Sequence, residues 1–112
     1  MKKIIAVIQP YKLDEVKKAL SHVDVRGLTV SEVRGYGRQG GQQVSYRGSV
    51  SNTDFVHKLK LEIIVSDGAA DQVEEAIVKT ARTGKVGDGK IFIHPLDTVT
   101  RIRTGEAGDS AV

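Results

Sequence analysis

The sequence has no cysteine and no tryptophan, and three tyrosines and two phenylalanines are its only aromatic residues. Without cysteine the chain can form neither a disulfide nor a thiolate metal site, and HxxxH and CxxC patterns are also absent. No stretch approaches the roughly 18 apolar residues that a membrane-spanning helix requires. We therefore expect a soluble, cytoplasmic protein without disulfides or a structural metal.

The composition is that of an ordinary globular chain. Hydrophobic residues make up 39% and charged residues 28% of the 112 residues, which predicts one folded domain spanning residues 1–112. The basic start is followed by an apolar run that ends at Gln9-Pro10, too short for the hydrophobic region of a signal peptide. A net charge of +3 suits anionic ligands but is weak support for nucleic acid.

Apolar periodicity predicts two successive β-α-β units. In the first unit, a strand over residues 3–9 precedes a helix that carries Leu13, Val16, Leu20 and Val23, and a second strand covers residues 28–33. In the second unit, Leu59, Leu61, Ile63 and Val65 alternate along a strand, Ala70, Val73, Ala76, Ile77 and Ala81 keep helical spacing, and residues 91–93 form the last strand.

These two units predict an α/β (α+β) fold, a ferredoxin-like double β-α-β sandwich with helices on one face of a mixed sheet. We also expect a short extra strand near residues 99–103. Between the units lies a long segment, residues 37–55, whose stretch from Gly37 to Asp54 is rich in Gly, Gln, Ser and Asn. Such a segment is either a functional binding loop or an extended hairpin.

A glycine-rich segment, residues 82–90, joins the second helix to the last strand. Its glycines allow backbone N–H groups to approach a phosphate, and Lys85 and Lys90 supply positive charge. It is not a Walker A sequence, so a phosphate-binding loop and a plain turn both remain open. Arg101 and Arg103, at the start of the C-terminal segment 101–112, share a face of the expected extra strand.

One face of the central strand likewise carries Lys58, Lys60 and Glu62. Such rows of polar residues are also compatible with ordinary solvated surface.

Catalysis has little support, because His22, His57 and His94 are scattered and no nucleophile-base pair is evident. Two rival classes remain: an RNA-recognition module, which needs strand aromatics that the central strand lacks, and a nucleotide hydrolase.

Several segments together resemble the PII nitrogen-regulatory signal-transduction family. The most specific are residues 83–93 (TGKVGDGKIFI) and 101–106 (RIRTGE). The first half agrees at residues 12–16 (KLDEV), 26–30 (RGLTV), 35–39 (GYGRQ) and 46–48 (YRG). The resemblance covers essentially the whole chain and implies a non-enzymatic sensor that regulates nitrogen assimilation.

The resemblance implies a homotrimer that binds ATP or ADP in clefts between neighbouring subunits. The resemblance implies that the phosphates are held by Gly87, Asp88, Gly89, Lys90, Arg101 and Arg103. The rest of the nucleotide is surrounded by Val7, Thr29, Gly37, Arg38, Glu62 and Ile64.

In the family, 2-oxoglutarate chelates a Mg²⁺ ion that also contacts the ATP phosphates. The resemblance makes Gln39 the protein ligand of the metal and pairs Lys58 with a carboxylate of 2-oxoglutarate. Mg²⁺ commonly binds through phosphates and few protein groups, which suits a chain without a carboxylate cluster. Formation of this chelate is expected to reshape the base of the long loop and thereby change partner affinity.

The long loop also carries the expected partner contacts. Tyr46 and Arg47 stand at its tip, where family members insert an arginine into an ammonium transporter; a nitrogen-metabolism enzyme is the alternative partner. Ser51 replaces a tyrosine that many members uridylylate, whereas Ser49 matches the serine that is phosphorylated in cyanobacterial members. Gly40 replaces a common lysine near the 2-oxoglutarate site, so an adenylate-only sensor is an alternative.

Overall fold

The computed structural model describes residues 1–36 and 55–112. The predicted roles of Gly37, Arg38, Gln39, Tyr46, Arg47 and Ser49 lie outside these described residues. The described elements are β1 (Lys2–Ile8), α1 (Leu13–Leu20), β2 (Thr29–Tyr36), β3 (Phe55–Val65), α2 (Ala70–Ala81) and β4 (Gly89–Pro95). Short 3-10 turns cover Pro10–Lys12, Asp67–Ala69 and Gly108–Ala111.

The four strands form one sheet in the order β2-β3-β1-β4, and every neighbouring pair is antiparallel. This confirms the ferredoxin-like α+β prediction but makes the expected mixed sheet wrong. The physical reason is the interleaving of the two β-α-β units. The two strands of each unit run parallel, but a strand of the other unit always lies between them, so no parallel neighbours form.

The core lies between the helices and one face of the sheet. Alternate residues of β1 (Ile4, Ala6 and Ile8) and of β3 (Leu59, Leu61, Ile63 and Val65) are buried there. The helices cover them with Val16 and Leu20 of α1 and with Ala70, Val73, Ile77 and Ala81 of α2. Each large side chain buried in this way stabilises the fold by about 1.5–3 kcal/mol.

The described residues of one chain cover only part of the opposite face of the sheet. Ile5, Val7 and Ile64 are half-buried there, and Phe92 is 46% exposed. Apolar side chains on a face that the described residues do not close off are typical of a surface that contacts another protein or a ligand. Among the described residues no helix is both long and apolar enough to cross a membrane.

Two smaller predictions are wrong. The first is the extra strand at residues 99–103: within the described ranges only an isolated bridge between Thr100 and Ala107 forms. The backbone N–H of Gly105 donates to the carbonyl of Arg101 at 2.7 Å, and Gly105 has a φ of 75°. The chain therefore turns back on itself, and the expectation that Arg101 and Arg103 share a strand face is withdrawn.

The second correction concerns the ends of elements. Helix α1 ends at Leu20, so Val23 packs against the core from the following turn and not from the helix. Phe55, which the sequence placed in the long loop, is the first residue of β3. Both differences arise at element ends, where local pattern is weakest.

Candidate functional site

The glycine-rich segment predicted as a phosphate loop is a turn organised by the carboxylate of Asp88. This carboxylate accepts hydrogen bonds from the backbone N–H groups of Thr83, at 2.7 Å, and Gly84, at 2.8 Å. It also accepts one from the Thr83 hydroxyl. The side-chain bond from Thr83, followed by the backbone bonds, lowers the pKa of Asp88 because these donors stabilise the anion.

This arrangement refines the role predicted for Asp88. Its carboxylate points into its own turn and would repel a phosphate, so the backbone N–H is the group through which Asp88 can serve an anion. The side chain fixes the shape of the turn. We call residues 83–89 the Asp88 turn.

The Asp88 turn depends on glycine at two positions next to the sheet. Gly87 and Gly89 have φ values of 102° and 105°, a region that other residues rarely adopt. A Cβ atom on Gly89 would lie 1.7 Å from the carbonyl oxygen of Val7. The turn therefore approaches β1 so closely that only glycine fits at position 89.

Lys58, predicted as a 2-oxoglutarate ligand, reaches the same turn from β3. The residue is 7% exposed, and its ammonium donates a hydrogen bond to the carbonyl oxygen of Gly87. Burial lowers the pKa of Lys58, while the nearby charge of Asp88 raises it. The alternative that Lys58 belongs to a solvated surface row is therefore wrong.

Sequence reasoning missed Gln9. Its amide nitrogen donates to the same Gly87 carbonyl at 2.9 Å. The available signal was its place directly after β1 and before Pro10, since the end of a strand that faces a glycine-rich turn can reach that turn with one polar side chain. Gln9, Lys58 and the Asp88 turn thus form one hydrogen-bonded group.

The predicted phosphate-binding cations differ in their surroundings. Lys90 is exposed at the start of β4, opposite Val7 of β1. Arg101 is engaged by its own segment: its guanidinium donates to the Glu106 carboxylate at 2.8 Å and to the Ser110 carbonyl at 3.1 Å. Arg103 is exposed in the same C-terminal turn.

The structure places the predicted nucleotide residues in two groups towards different ends of β3, which come nearest where Val7, opposite Lys60, is diagonal to Glu62. The first, which we call the turn group, consists of Val7, Lys58, Gly87, Asp88, Gly89 and Lys90. The second, which we call the C-terminal group, consists of Thr29, Glu62, Ile64, Arg101 and Arg103.

The C-terminal group lies at the end of β3 that is remote from Lys58. Thr29 pairs with Glu62 across the β2–β3 ladder. Asp109 and Val112, which follow the arginines, line a small cavity of about 80 Å³ together with Ile64 and Ser66. Lys58 and Ile64 are six positions apart along β3, which corresponds to about 20 Å. One chain therefore does not bring Arg101 and Arg103 to the Asp88 turn.

Glu62 is the acidic member of the C-terminal group. Its carboxylate lies 3.4 Å from the ammonium of Lys3 and 3.7 Å from that of Lys60. Two lysines thus balance its charge on the open face of the sheet, so Glu62 can accept a hydrogen bond there without repelling an anionic ligand as strongly as an unpaired carboxylate.

A cleft of about 350 Å³ lies beside the turn group, between β4 and α2. Val7, Asp88, Gly89 and Lys90 line it on the sheet side. Its volume falls in the lower range of small-molecule sites. In the described ranges, no three His, Cys, Asp or Glu side chains form a group that could hold a metal ion, and Gln39, the predicted metal ligand, lies outside them.

Comparison with known proteins agrees with the resemblance found in the sequence. The family model described as "Nitrogen regulatory protein P-II" matches residues 1–106. Proteins named nitrogen regulatory protein P-II from Synechocystis sp. and Pasteurella multocida are 56% and 54% identical to this chain, respectively, over 100% of both chains. One of the same name from Haemophilus influenzae is 51% identical, again over both full lengths.

These matches run through both β-α-β units, the Asp88 turn and the start of the C-terminal segment. They support a regulatory protein, as predicted, and not an enzyme or an RNA-recognition module. The chain belongs to the P-II family of nitrogen regulatory proteins.

Proposed function

We propose that the protein senses ATP or ADP together with 2-oxoglutarate, in clefts between the three copies of a homotrimer. Its output is regulation of a nitrogen-assimilation partner, either an ammonium transporter or a metabolic enzyme, through residues 37–55. The observation that carries this proposal is the separation of the turn group from the C-terminal group within one chain. A neighbouring copy can supply the group that is missing at each end.

The donors on the two sides fit a polyphosphate. Lys90 and the glycine backbone of the Asp88 turn supply an ammonium and N–H groups, and Arg101 and Arg103 supply guanidinium groups that match phosphate geometry. The half-buried Val7 and Ile64 on the open sheet face offer apolar contacts for the base. The partly covered face also supports assembly of copies, because it leaves apolar side chains for a neighbour to bury.

The sensing step rests on Lys58 and Gln39. Lys58 stands next to the Asp88 turn with a buried ammonium, which is a favourable position for binding a carboxylate of 2-oxoglutarate. A bound Mg²⁺ ion would join ligand oxygens, and Gln39 is the proposed protein contact to it. Because Gln39 lies within residues 37–55, occupancy of this site can bias the conformation of that segment, and thereby the affinity for a partner.

A mixing experiment tests the shared site directly. Lys90→Ala removes a donor of the turn group, and Arg103→Ala removes one of the C-terminal group. Each variant alone should bind ATP weakly in calorimetry. When the two are denatured and refolded together, about one interface in four combines an intact turn with an intact arginine, so strong sites should reappear. Lys79→Ala, an exposed change on α2, serves as the control.

If mixing restores no strong binding while the wild type binds ATP, the site lies within one chain and the shared-cleft proposal is wrong. Titration of 2-oxoglutarate in the presence of Mg-ATP, on the wild type and on Gln39→Ala, tests the second ligand. Binding that requires Mg-ATP and is lost in the variant supports the full proposal. Nucleotide binding without any response to 2-oxoglutarate favours an adenylate-only sensor.

A further inference from the structure

Gln9 occupies a position where three parts of the site meet. The β1–β3 ladder ends with Ile8 opposite Leu59, and the β1–β4 ladder ends with Ile8 opposite Gly89. One residue further along, Gln9 lies level with Lys58 on one side and with Asp88 on the other. Pro10 follows at the first position of a 3-10 turn, and its fixed φ restrains the backbone there.

Gln9 and Lys58 share one acceptor. The amide nitrogen of Gln9 lies 2.9 Å from the Gly87 carbonyl oxygen, and the ammonium of Lys58 donates to the same oxygen. A carbonyl oxygen has two lone pairs and can accept both bonds. The two donors nevertheless differ: a carboxamide is neutral, whereas an ammonium is attracted to any anion that enters the site.

This difference matters when an anionic ligand binds. The ammonium has three N–H donors, but if it moves towards a carboxylate its hydrogen bond to Gly87 can be lost. Without a second donor the partly buried carbonyl would then be unpaired, which is costly. Gly87 precedes Asp88, whose carboxylate holds the amides of Thr83 and Gly84. Movement of the Gly87 carbonyl would therefore disturb the whole Asp88 turn.

We propose that Gln9 is a positioning residue that holds the Gly87 carbonyl, and with it the Asp88 turn, when the Lys58 ammonium turns to an anionic ligand. This inference rests on the proposed function for the identity of the ligand, but not for the role of Gln9 in the free protein. Gln9 itself need not touch the ligand.

The first test uses the free protein. Gln9→Met and Lys58→Met each keep an unbranched side chain of similar reach but remove the donor. Hydrogen exchange is measured at the amides of Thr83 and Gly84, which the Asp88 carboxylate protects. Each single change should speed exchange by about 2–10-fold. The double change should speed exchange by more than the product of the two single fold-changes, because either donor alone can hold the carbonyl.

A pH profile separates this role from simple packing. In Gln9→Glu the introduced carboxylate has no proton to donate at neutral pH, so exchange should be as fast as in Gln9→Met. As the pH falls, this carboxylate, which would lie near the Lys58 ammonium and the Asp88 carboxylate, becomes protonated and so becomes a donor. Protection relative to Gln9→Met at the same pH should then return. A purely steric role predicts no such recovery.

The second test adds the ligands. 2-Oxoglutarate is titrated by calorimetry into protein saturated with Mg-ATP, for the wild type, Gln9→Met and the control Gln72→Met, an exposed glutamine of α2. We expect Gln9→Met to weaken binding by about 3–10-fold and Gln72→Met to leave it unchanged.

Wild-type affinity in Gln9→Met, or multiplicative exchange rates in the double variant, would overturn the inference. If the wild type binds nucleotide but no 2-oxoglutarate, the proposed second ligand fails. The role of Gln9 towards that ligand then fails with it. The exchange measurements still decide whether Gln9 holds the turn, so the two failures can be told apart.

Discussion

The Asp88 turn and the C-terminal turn use a carboxylate in different ways. Asp88 accepts hydrogen bonds from backbone N–H groups of its own turn and pairs with no arginine or lysine within hydrogen-bond distance in the described residues. Glu106 instead binds the guanidinium of Arg101, at 2.8 Å. Both turns contain glycines with positive φ, so the difference between them lies in which donor the carboxylate binds.

The comparison indicates how ready each turn is to bind an anion. The Asp88 turn has its backbone fixed while Lys90 stays exposed, so it is organised before a ligand arrives. If the proposed function holds, a phosphate at the C-terminal turn would compete with Glu106 for Arg101, because one guanidinium cannot serve both fully. We infer that the Asp88 turn is preorganised for an anion, whereas the C-terminal turn must rearrange its Arg101–Glu106 pair to bind one.

The largest expected effect is that of Gly89→Ala, compared with Gly105→Ala. Both positions have positive φ, but a Cβ on Gly89 would lie 1.7 Å from the Val7 carbonyl oxygen, whereas nothing lies within 4 Å at Gly105. Gly105→Ala should lower the free energy of unfolding by about 1–2 kcal/mol. Gly89→Ala adds a backbone clash and should cost about 4 kcal/mol or more.

Urea unfolding of the two variants checks this difference. Circular dichroism of the wild type gives the reference curve, and equal losses in both variants would show that the approach of the turn to β1 is looser than the structure indicates. If Gly89→Ala does not fold while Gly105→Ala does, the result also agrees with the expected ranking of the two variants.

A smaller effect is expected for Asp88→Asn, and it should depend on pH. Hydrogen bonds from Thr83 and Gly84 lower the pKa of Asp88 in the folded state. A carboxyl with a lowered folded pKa stabilises the fold above its unfolded pKa, about 3.9, and this contribution is lost as the pH falls through the folded value. The wild type should therefore be more stable than the variant at neutral pH, and the gap should close in acid.

Thermal unfolding of both proteins between neutral pH and pH 2 measures that gap. Using the difference between the two proteins cancels the titration of Asp67 and the other carboxyl groups, which both share. A gap that stays constant across the range would mean that the Asp88 charge does not contribute to the stability of the turn.

The sequence predicted the fold correctly wherever the spacing of apolar residues matches the side of the element that is buried. The alternation of Leu59, Leu61 and Ile63 predicted the buried face of β3, and all three are buried. The antiparallel sheet was missed because the pattern within each β-α-β unit does not reveal that the strands of the two units interleave. The strand expected at residues 99–103 does not form, because the chain turns at Gly105 and the Gly105 N–H bonds back to the carbonyl of Arg101.

The candidate site was predictable in part and for a different reason. The glycines and basic residues of segment 82–90 identified the turn, but no periodicity predicts that Gln9 and Lys58 converge on one carbonyl. That contact joins residues 78 and 29 positions away from Gly87, and it depends on strand order and register. The separation of the turn group from the C-terminal group is likewise a property of the assembled sheet.

The smallest predicted effect is that of Glu106→Gln on nucleotide affinity. The variant removes the negative charge that holds Arg101 but keeps a hydrogen-bond acceptor of the same size. Because both side chains of this pair are partly exposed, the ion pair contributes only about 0.2–1 kcal/mol. We therefore expect ATP to bind about 2–5-fold more tightly, with little change in the unfolding temperature.

Calorimetry with ATP at low and at moderate salt measures this change, with Glu75→Gln as the matched control, because Glu75 is exposed on α2 and lies outside both turns. The gain should shrink as salt screens the competition between Glu106 and the phosphates. Weaker binding in Glu106→Gln would reverse the interpretation: Glu106 would then hold Arg101 in the orientation that a phosphate needs. In that case both turns, and not only the Asp88 turn, would be organised before the nucleotide arrives.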